Sequence, residues 1–412
     1  MGTVHAPWMA APGTRAVIDA LTANGADVRF VGGCVRDALL GWESRDIDIG
    51  TPDPPGRVLA LLKDASIETR TVPRGIAHGT VTALAGSDRF EITTLRRDER
   101  TDGRHAEVAF TDDWREDAAR RDFTSNAMSA APDGTLYDYF GGQADLGAGR
   151  VRFVGDPTTR IAEDHLRILR FFRFHAWYGK GEPDAEALAA CNAAAHTIPT
   201  LSGERVQAEM LKLLAAPDPL PAIETMRETS VLAQLLPDTP RTDHLARLIA
   251  IEGDVGEADS IRRLAVLLAD AAGAHDVATR WRLASADATR LADLCAPPAP
   301  VSPDLDRPGQ RRRLYRLGPA LFRDLVLLAW AKEAQGENET AWRAMLETAA
   351  AWEEPALPVT GADVLACGVE AGPAVGRLLF AVEAWWKDRD FAPDRADALA
   401  KLKELAAAGR PE

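Results

Sequence analysis

The sequence predicts an α+β head with a small mixed sheet, followed by an all-helical remainder. Three observations carry this expectation. Short β-rich runs separated by glycine turns are confined to the first 150 or so residues. From about residue 155 long stretches of Ala, Leu, Arg and Glu follow helical period, and proline pairs near 217–221, 237–240 and 297–303 punctuate them. These signals place a head over 1–150, a neck over 151–220, a body over 221–300 and a tail over 301–412, with no fixed repeat period.

Within the head, residues 13–24 read as a short amphipathic helix. VRFVGG (28–33) reads as a strand ending in a glycine pair, and the VRDALLG that follows as a helix. DIDIG (46–50), HGTVTALA (78–85) and RFEITTL (89–95) alternate with strand period and are expected in one sheet. Residues 96–110, RRDERTDGRHAEVAF, are dense in charge with one glycine, which predicts a mobile loop on the substrate side.

Composition narrows the function classes. Apolar residues make up 46% of the 412 and charged residues 27%, as in folded globular chains. The four cysteines (Cys34, Cys191, Cys295, Cys367) lie far apart without ligand spacing, so reduced, buried thiols are expected. With no secretory pattern at the start and no long apolar run, a cytoplasmic chain is expected. The formal charge of −14 argues against bulk electrostatic attraction to nucleic acid, so an RNA partner must be met locally. Only seven of the 48 basic residues are lysines, an inventory that favours planar, bidentate guanidinium forks.

Asp46 and Asp48 are two apart on an expected strand, which puts both carboxylates on one face. Two hard oxygen ligands side by side suit magnesium, and a pair of such ions can serve an in-line phosphoryl displacement. Gly32 and Gly33 precede a helix carrying Arg36 and Asp37, where backbone can approach a phosphate and Arg36 adds a fork. A triphosphate with metal is the combined expectation.

GGCVRDALLGWESRDIDIG (32–50) resembles the signature of class II nucleotidyltransferases of the DNA polymerase beta superfamily, in particular CCA-adding tRNA nucleotidyltransferases and bacterial poly(A) polymerases. The resemblance implies a polymerase-beta-type head and assigns magnesium to Asp46 and Asp48 and nucleotide contacts to Gly33 and Arg36. Cys34 stands where the family commonly has alanine. Glu91, on the period-2 face of FEITTL, is a candidate third catalytic acid. RRDFTSNAM (120–128) resembles the second motif of the family; Arg121 can neutralise triphosphate charge while Asp122 and Asn126 can bond a ribose hydroxyl.

In DPTTRIAEDHLRILRFFRFHA, Asp164, Arg167, Arg170 and Arg173 recur every third residue and are expected along one side of a single helix. An Asp/Arg pair can read cytosine and adenine, whereas uracil and guanine present a donor where the arginine needs an acceptor. The stretch matches the EDxxR element of the family, here Glu163, Asp164 and Arg167, which the resemblance says selects CTP and ATP, with Arg170 and Arg173 as further contacts. GERVQAEMLKLL (203–214) is similar to a supporting helix in which Arg205 and Glu209 brace the base-selecting residues. VTGADVLACGVEAGPAVGRLL (359–379) is similar to the carboxy-terminal pattern of the family. Arg311, Arg312, Arg313 and Arg316 form a basic run that is either an RNA phosphate contact or a solvated face. RLAVLLADAAG (263–273) looks like a decayed phosphohydrolase helix with Ala269 in place of a histidine, and no hydrolase site is expected there.

The resemblance implies a template-independent enzyme that adds C, C and A to tRNA from CTP and ATP. DGRH (102–105) is expected in a segment that moves on switching from C to A. A poly(A) polymerase shares the head motifs, but TDGRHAEVAFTDDW looks more like the CCA-adding subgroup. Addition of only C or only A, and a non-catalytic RNA-binding protein on the same scaffold, are the remaining alternatives.

Overall fold

The computed structural model describes residues 2–44, 46–70, 79–86, 88–102, 105–237, 240–333, 336 and 338–408; for 98–102 and 105–108 the backbone alone is described. The chain divides into two compact units, Met1–Thr239 with Thr279–Arg282, and Pro240–Ala278 with Leu283–Glu412.

The first unit opens with α1 (Pro12–Thr22), β1 (Arg29–Val31) and α2 (Gly33–Leu39), followed by β2 (Ile47–Thr51) and α3 (Pro55–Asp64). Then come β3 (Glu68–Arg70), β4 (Thr80–Ala85), β5 (Asp88–Thr94), β6 (Arg96–Asp102) and β7 (His105–Phe110). The head closes with α4 (Trp114–Ala119), β8 (Ser129–Ala130), β9 (Leu136–Tyr137) and α5 (Gly142–Ala148). The sheet order is β3-β4-β5-β2-β1-β8-β9, so the three strands expected in one sheet share it. Among the described pairings of this sheet only β2 with β5 is parallel, the crossover being supplied by α3, β3 and β4.

Strand period explains which face is covered. Ile47 and Ile49 of β2 and Phe90 and Ile92 of β5 are buried against Val17 and Leu21 of α1 and Val58 and Leu62 of α3. The alternating positions Asp48 and Glu91 are left half-buried on the other face, directly opposite one another in register. Gly50 ends the DIDIG run because a Cβ there would lie 2.9 Å from the Trp114 ring.

Residues 96–110 differ from the expected loop: β6 and β7 form a separate antiparallel pair with a register shift between Asp98 and Arg100. Charge density misled because an antiparallel ladder closes its backbone hydrogen bonds without needing an apolar face. Gly103 and Arg104 of the DGRH segment lie outside the described residues.

The first unit continues with α6 (Pro157–Glu163), α7 (Leu166–Tyr178), α8 (Ala185–Ala194), α9 (Gly203–Leu214) and α10 (Leu220–Glu228), with α9 packed along α7. Fully buried Phe123, Phe153 and Phe171 form a ring cluster with Phe174, centroids 4.8–5.9 Å apart, which seats the 121–126 segment against α7.

The second unit holds α11 (Thr242–Val255), α12 (Ser260–Leu267), most of α13 (Ala271–Arg280), α14 (Ser285–Cys295), α15 (Arg307–Lys332) and α16 (Glu339–Ala350). Residues 261–267 of α12 are all buried, so the helix is central rather than amphipathic. Its two arginines are matched by acids: Arg262 and Arg263 both reach Glu252 (2.9 and 2.6 Å), and Arg262 also reaches Asp324 at 2.7 Å. Three further helices, α17 (Gly361–Ala366), α18 (Pro373–Lys387) and α19 (Arg395–Ala408), close a small core around Val364, Val382 and Leu402. No helix among the described residues is long and apolar enough to cross a membrane.

Candidate active site

A cleft of about 720 Å³ within the first unit collects all but two of the expected site residues of that unit. Eight cationic side chains line it, Arg36, Arg120, Arg121, Arg167, Arg170, Arg173, Arg205 and Lys212, against six acidic ones. In a chain whose acids outnumber its Lys and Arg by fourteen, this is a local reversal of sign, as an anionic ligand requires.

Asp48 extends from β2 into the cleft; Asp46 lines it from one residue before the strand begins. Burial and the charges of Glu91 and Asp46 push Asp48 up to about 6, against the pull of Arg121. Such a group favours a proton or a cation, so the pair fits a divalent metal. Glu91 stands beside Asp48 across the ladder, but its carboxylate is engaged by Arg89 at 2.5 Å and does not line the cleft. The buried Cys34 thiol, directed at the Asp48 carbonyl, is pushed up to about 12 by burial and is inert at neutral pH.

Gly32 turns the chain from β1 into α2 with φ +71°, and a Cβ there would lie 2.7 Å from Arg121 Nη1. Only glycine allows that guanidinium to approach so closely. Arg36 is buried, with Nη1 donating to Asn126 Oδ1 at 2.6 Å and its guanidinium 4.2 Å from the Tyr178 ring centroid. Arg121 is held by Asp117 and reaches the Asn126 carbonyl.

Asp122 departs from its expected part. Its carboxylate accepts from Phe123 N, Asn126 Nδ2 and both Nε and Nη2 of Arg170, which fills all four acceptor positions. It therefore positions Asn126 and Arg170 instead of offering a free oxygen to a ribose. Burial would raise this acid, but Arg170 and the Asn126 amide hold it below the usual carboxylate range. Arg173 is oriented by Glu209, Nε to Oε2 at 2.5 Å, in keeping with the bracing expected of Glu209.

The single helix expected to carry Asp164 and the arginines is interrupted. Asp164 has extended backbone (φ −155°, ψ 106°) between α6 and α7, and its Oδ1 accepts from Leu166 N. Competition by a short carboxylate for backbone N–H groups breaks helices in this way. Arg205 Nη2 donates to Asp164 Oδ2 at 2.6 Å, bracing it as expected. Glu163 does not line the cleft; it pairs with Arg160 and Arg167. Arg167 also donates from Nη1 to the Arg160 carbonyl and from Nη2 to the Arg120 carbonyl. Its Nε–H has no partner among the described residues, and both Arg167 and Asp164 line the cleft.

Sequence reasoning missed Asp117, which is buried and pairs with Arg120 at 2.7 Å and Arg121 at 3.2 Å. The i,i+3 and i,i+4 spacing in DAARR was the available signal. It also missed Arg160, whose Nη2 donates to the carbonyls of Arg120 and Arg121. In the second unit the run on α15 is not one face: Arg311 reaches Asp390 at 3.3 Å, Arg313 donates to the Pro300 carbonyl, and Arg316 is exposed.

Residues 28–152 match the model of the poly A polymerase head domain, and residues 182–241 that of the probable RNA and SrmB-binding site of polymerase A. The chain is 33% identical to the Homo sapiens CCA tRNA nucleotidyltransferase 1, mitochondrial, over 95% of its length and 90% of that protein. It is 32% identical to the CCA-adding enzyme of Levilactobacillus brevis over 89% and 90% of the two chains. Its fold is similar to that of the Bacillus stearothermophilus CCA-adding enzyme solved with CTP, at a TM-score of 0.72 and 26% identity, covering 97% and 98% of the chains.

Proposed function

The chain belongs to the CCA-adding tRNA nucleotidyltransferase family, and from that premise we propose that it extends the 3′ end of tRNA with C, C and A, taking CTP and ATP and releasing pyrophosphate. The observation that carries this reading is the convergence on one cleft of Asp46, Asp48, Gly32, Gly33, Arg36, Asp164 and Arg167, contributed by three separate segments. An RNA 3′-hydroxyl attacks the α-phosphate of the bound nucleotide, and the chain positions and neutralises the reactants. Arg121, Arg170 and Arg173 lie where they can neutralise the triphosphate, with Asp117, Asp122 and Glu209 fixing their planes. Asn126, held by Asp122, presents its amide to the ribose. Asp46 and Asp48 are the residues to hold magnesium, for which the raised Asp48 is suited. When bound, that metal supplies charge stabilisation at the attacking and leaving oxygens.

Base choice falls to Asp164 and Arg167. The remaining lone pairs of Asp164 accept from the exocyclic amine of cytosine or adenine, and the free N–H groups of Arg167 donate to the ring acceptors. Uracil and guanine set a donor against the arginine. Protein side chains thereby stand in for a template.

The test uses labelled tRNA lacking its terminal CCA, incubated with magnesium and CTP, ATP, both, or UTP and GTP, and resolved to single nucleotides. Two additions with CTP, a third only with ATP present, and then arrest are expected. A ladder of A on unrelated RNA would make the enzyme a poly(A) polymerase, and binding without extension a non-catalytic RNA-binding protein.

A further inference from the structure

Trp42 is one of the few large apolar side chains left exposed in the described chain, at 43%, and it lies three residues past the end of α2. The next two residues, Glu43 and Ser44, line the cleft, and Asp46 lies four positions on. Behind the indole two rings are fixed. Tyr178 lies 5.4 Å away, tilted by 32°, and also holds the Arg36 guanidinium. Trp177 lies 6.5 Å away, nearly edge-on, with its own N–H donated to the carbonyl of Lys212, itself a cleft residue. The cluster is thus anchored from the side of the cleft while 43% of Trp42 stays exposed, one residue before the cleft lining resumes at Glu43.

An exposed indole on a rigid aromatic base, beside a wall of arginines, has the makings of a single-strand site: cations for the backbone and a π-face for a base. We propose that Trp42 is a stacking platform for the last unpaired base at the 3′ end of the RNA, steadying the strand whose hydroxyl must reach the nucleotide. This inference rests on the nucleotidyltransferase reading. Stacking is indifferent to base identity, which suits a site that must hold a different terminal residue after each addition.

The experiment compares wild type, Trp42→Ala and Trp42→Phe on tRNA transcripts whose 3′-terminal residue is normal or abasic, with CTP. Trp42→Ala is expected to raise KM for RNA about 5- to 100-fold. KM for CTP at saturating RNA is expected to stay within about twofold, and Trp42→Phe to recover most of the loss. Removing the terminal base should cost wild type a similar factor and cost Trp42→Ala little more. Equal abasic penalties in both proteins, or a parallel rise in KM for CTP, would overturn the proposal, since a merely structural ring acts on both substrates. If Trp42→Ala does not fold, an unimpaired KM for abasic RNA with wild type would overturn it alone. Failure of wild type to extend any RNA would instead defeat the nucleotidyltransferase reading.

Discussion

In the second unit Glu252 receives Arg262 and Arg263, and Asp324 receives Arg262 and Arg290; all but Arg290 are buried, and every carboxylate oxygen is met by a guanidinium. In the first unit Asp48 lies half-buried beside two other acids with one arginine acting on it, while Arg167 keeps a donor open to the cleft. The same residue types are closed upon themselves in one place and left incomplete in the other. A balanced cluster fixes the register of the helices that carry it. An unbalanced one marks where ions and phosphates belong, because its missing partners have to come from outside.

The sharpest way to break this comparison is Asp48→Asn, expected to lower the extension rate about 10³-fold or more while leaving RNA binding intact. In EDTA its melting temperature should rise above wild type, since a disfavoured charge has been removed. A fall would mean that Asp48 is a structural acid like Glu252. Next in size, Glu252→Gln strands two buried arginines and should destabilise the protein by about 3–5 kcal/mol in denaturant titration. The remaining folded fraction should keep its preference for CTP over UTP.

Arg205→Ala acts between these extremes. Freed of its clamp, Asp164 should lose orientation, and the ratio of kcat/KM for CTP to that for UTP should drop about tenfold, with melting little changed. An unchanged ratio would detach Arg205 from base choice.

The smallest effects sharpen the comparison through pH. Asp48, raised to about 6, is favoured protonated in the folded chain, so its stability deficit grows from about pH 4 to about pH 6 and is constant above. The melting difference between Asp48→Asn and wild type, followed in EDTA, should widen over that window and then level. Asp122 is held below the usual range by Arg170 against its burial, so its contribution is complete above about pH 4 and is lost only as pH falls through the lowered value. Asp122→Asn should therefore cost a constant amount from pH 8 to about pH 5 and less in stronger acid.

Much of this was legible beforehand for identifiable reasons. Alternation around Asp48 and the glycines at 32 and 33 report backbone geometry, which is local, so the head strands and the placing of Asp46 and Asp48 at one cleft could be read directly. The break at Asp164 was not legible, because AEDHLR holds neither glycine nor proline; the carboxylate leaves the helix to meet Leu166 N and Arg205, forty-one residues away. The saturation of Asp122 was hidden for the same reason, since Arg170 arrives through the Phe123–Phe153–Phe171 cluster. The 96–110 hairpin was hidden by its charge.

The cleft draws on residues 32–48, 120–126, 164–174 and 205–212 in that order, whereas the apolar core of the head is complete by Leu146. During synthesis the head can close while the chain still lacks Asp164 and Arg167, and Asp122 then waits some forty-eight residues for Arg170. At usual rates of translation that interval is roughly 2–10 s. A nascent or truncated chain in that interval carries the carboxylates and the glycine turn without Asp164, Arg167 and Arg170, so on the proposed reading it would lack the side chains that choose between nucleotides.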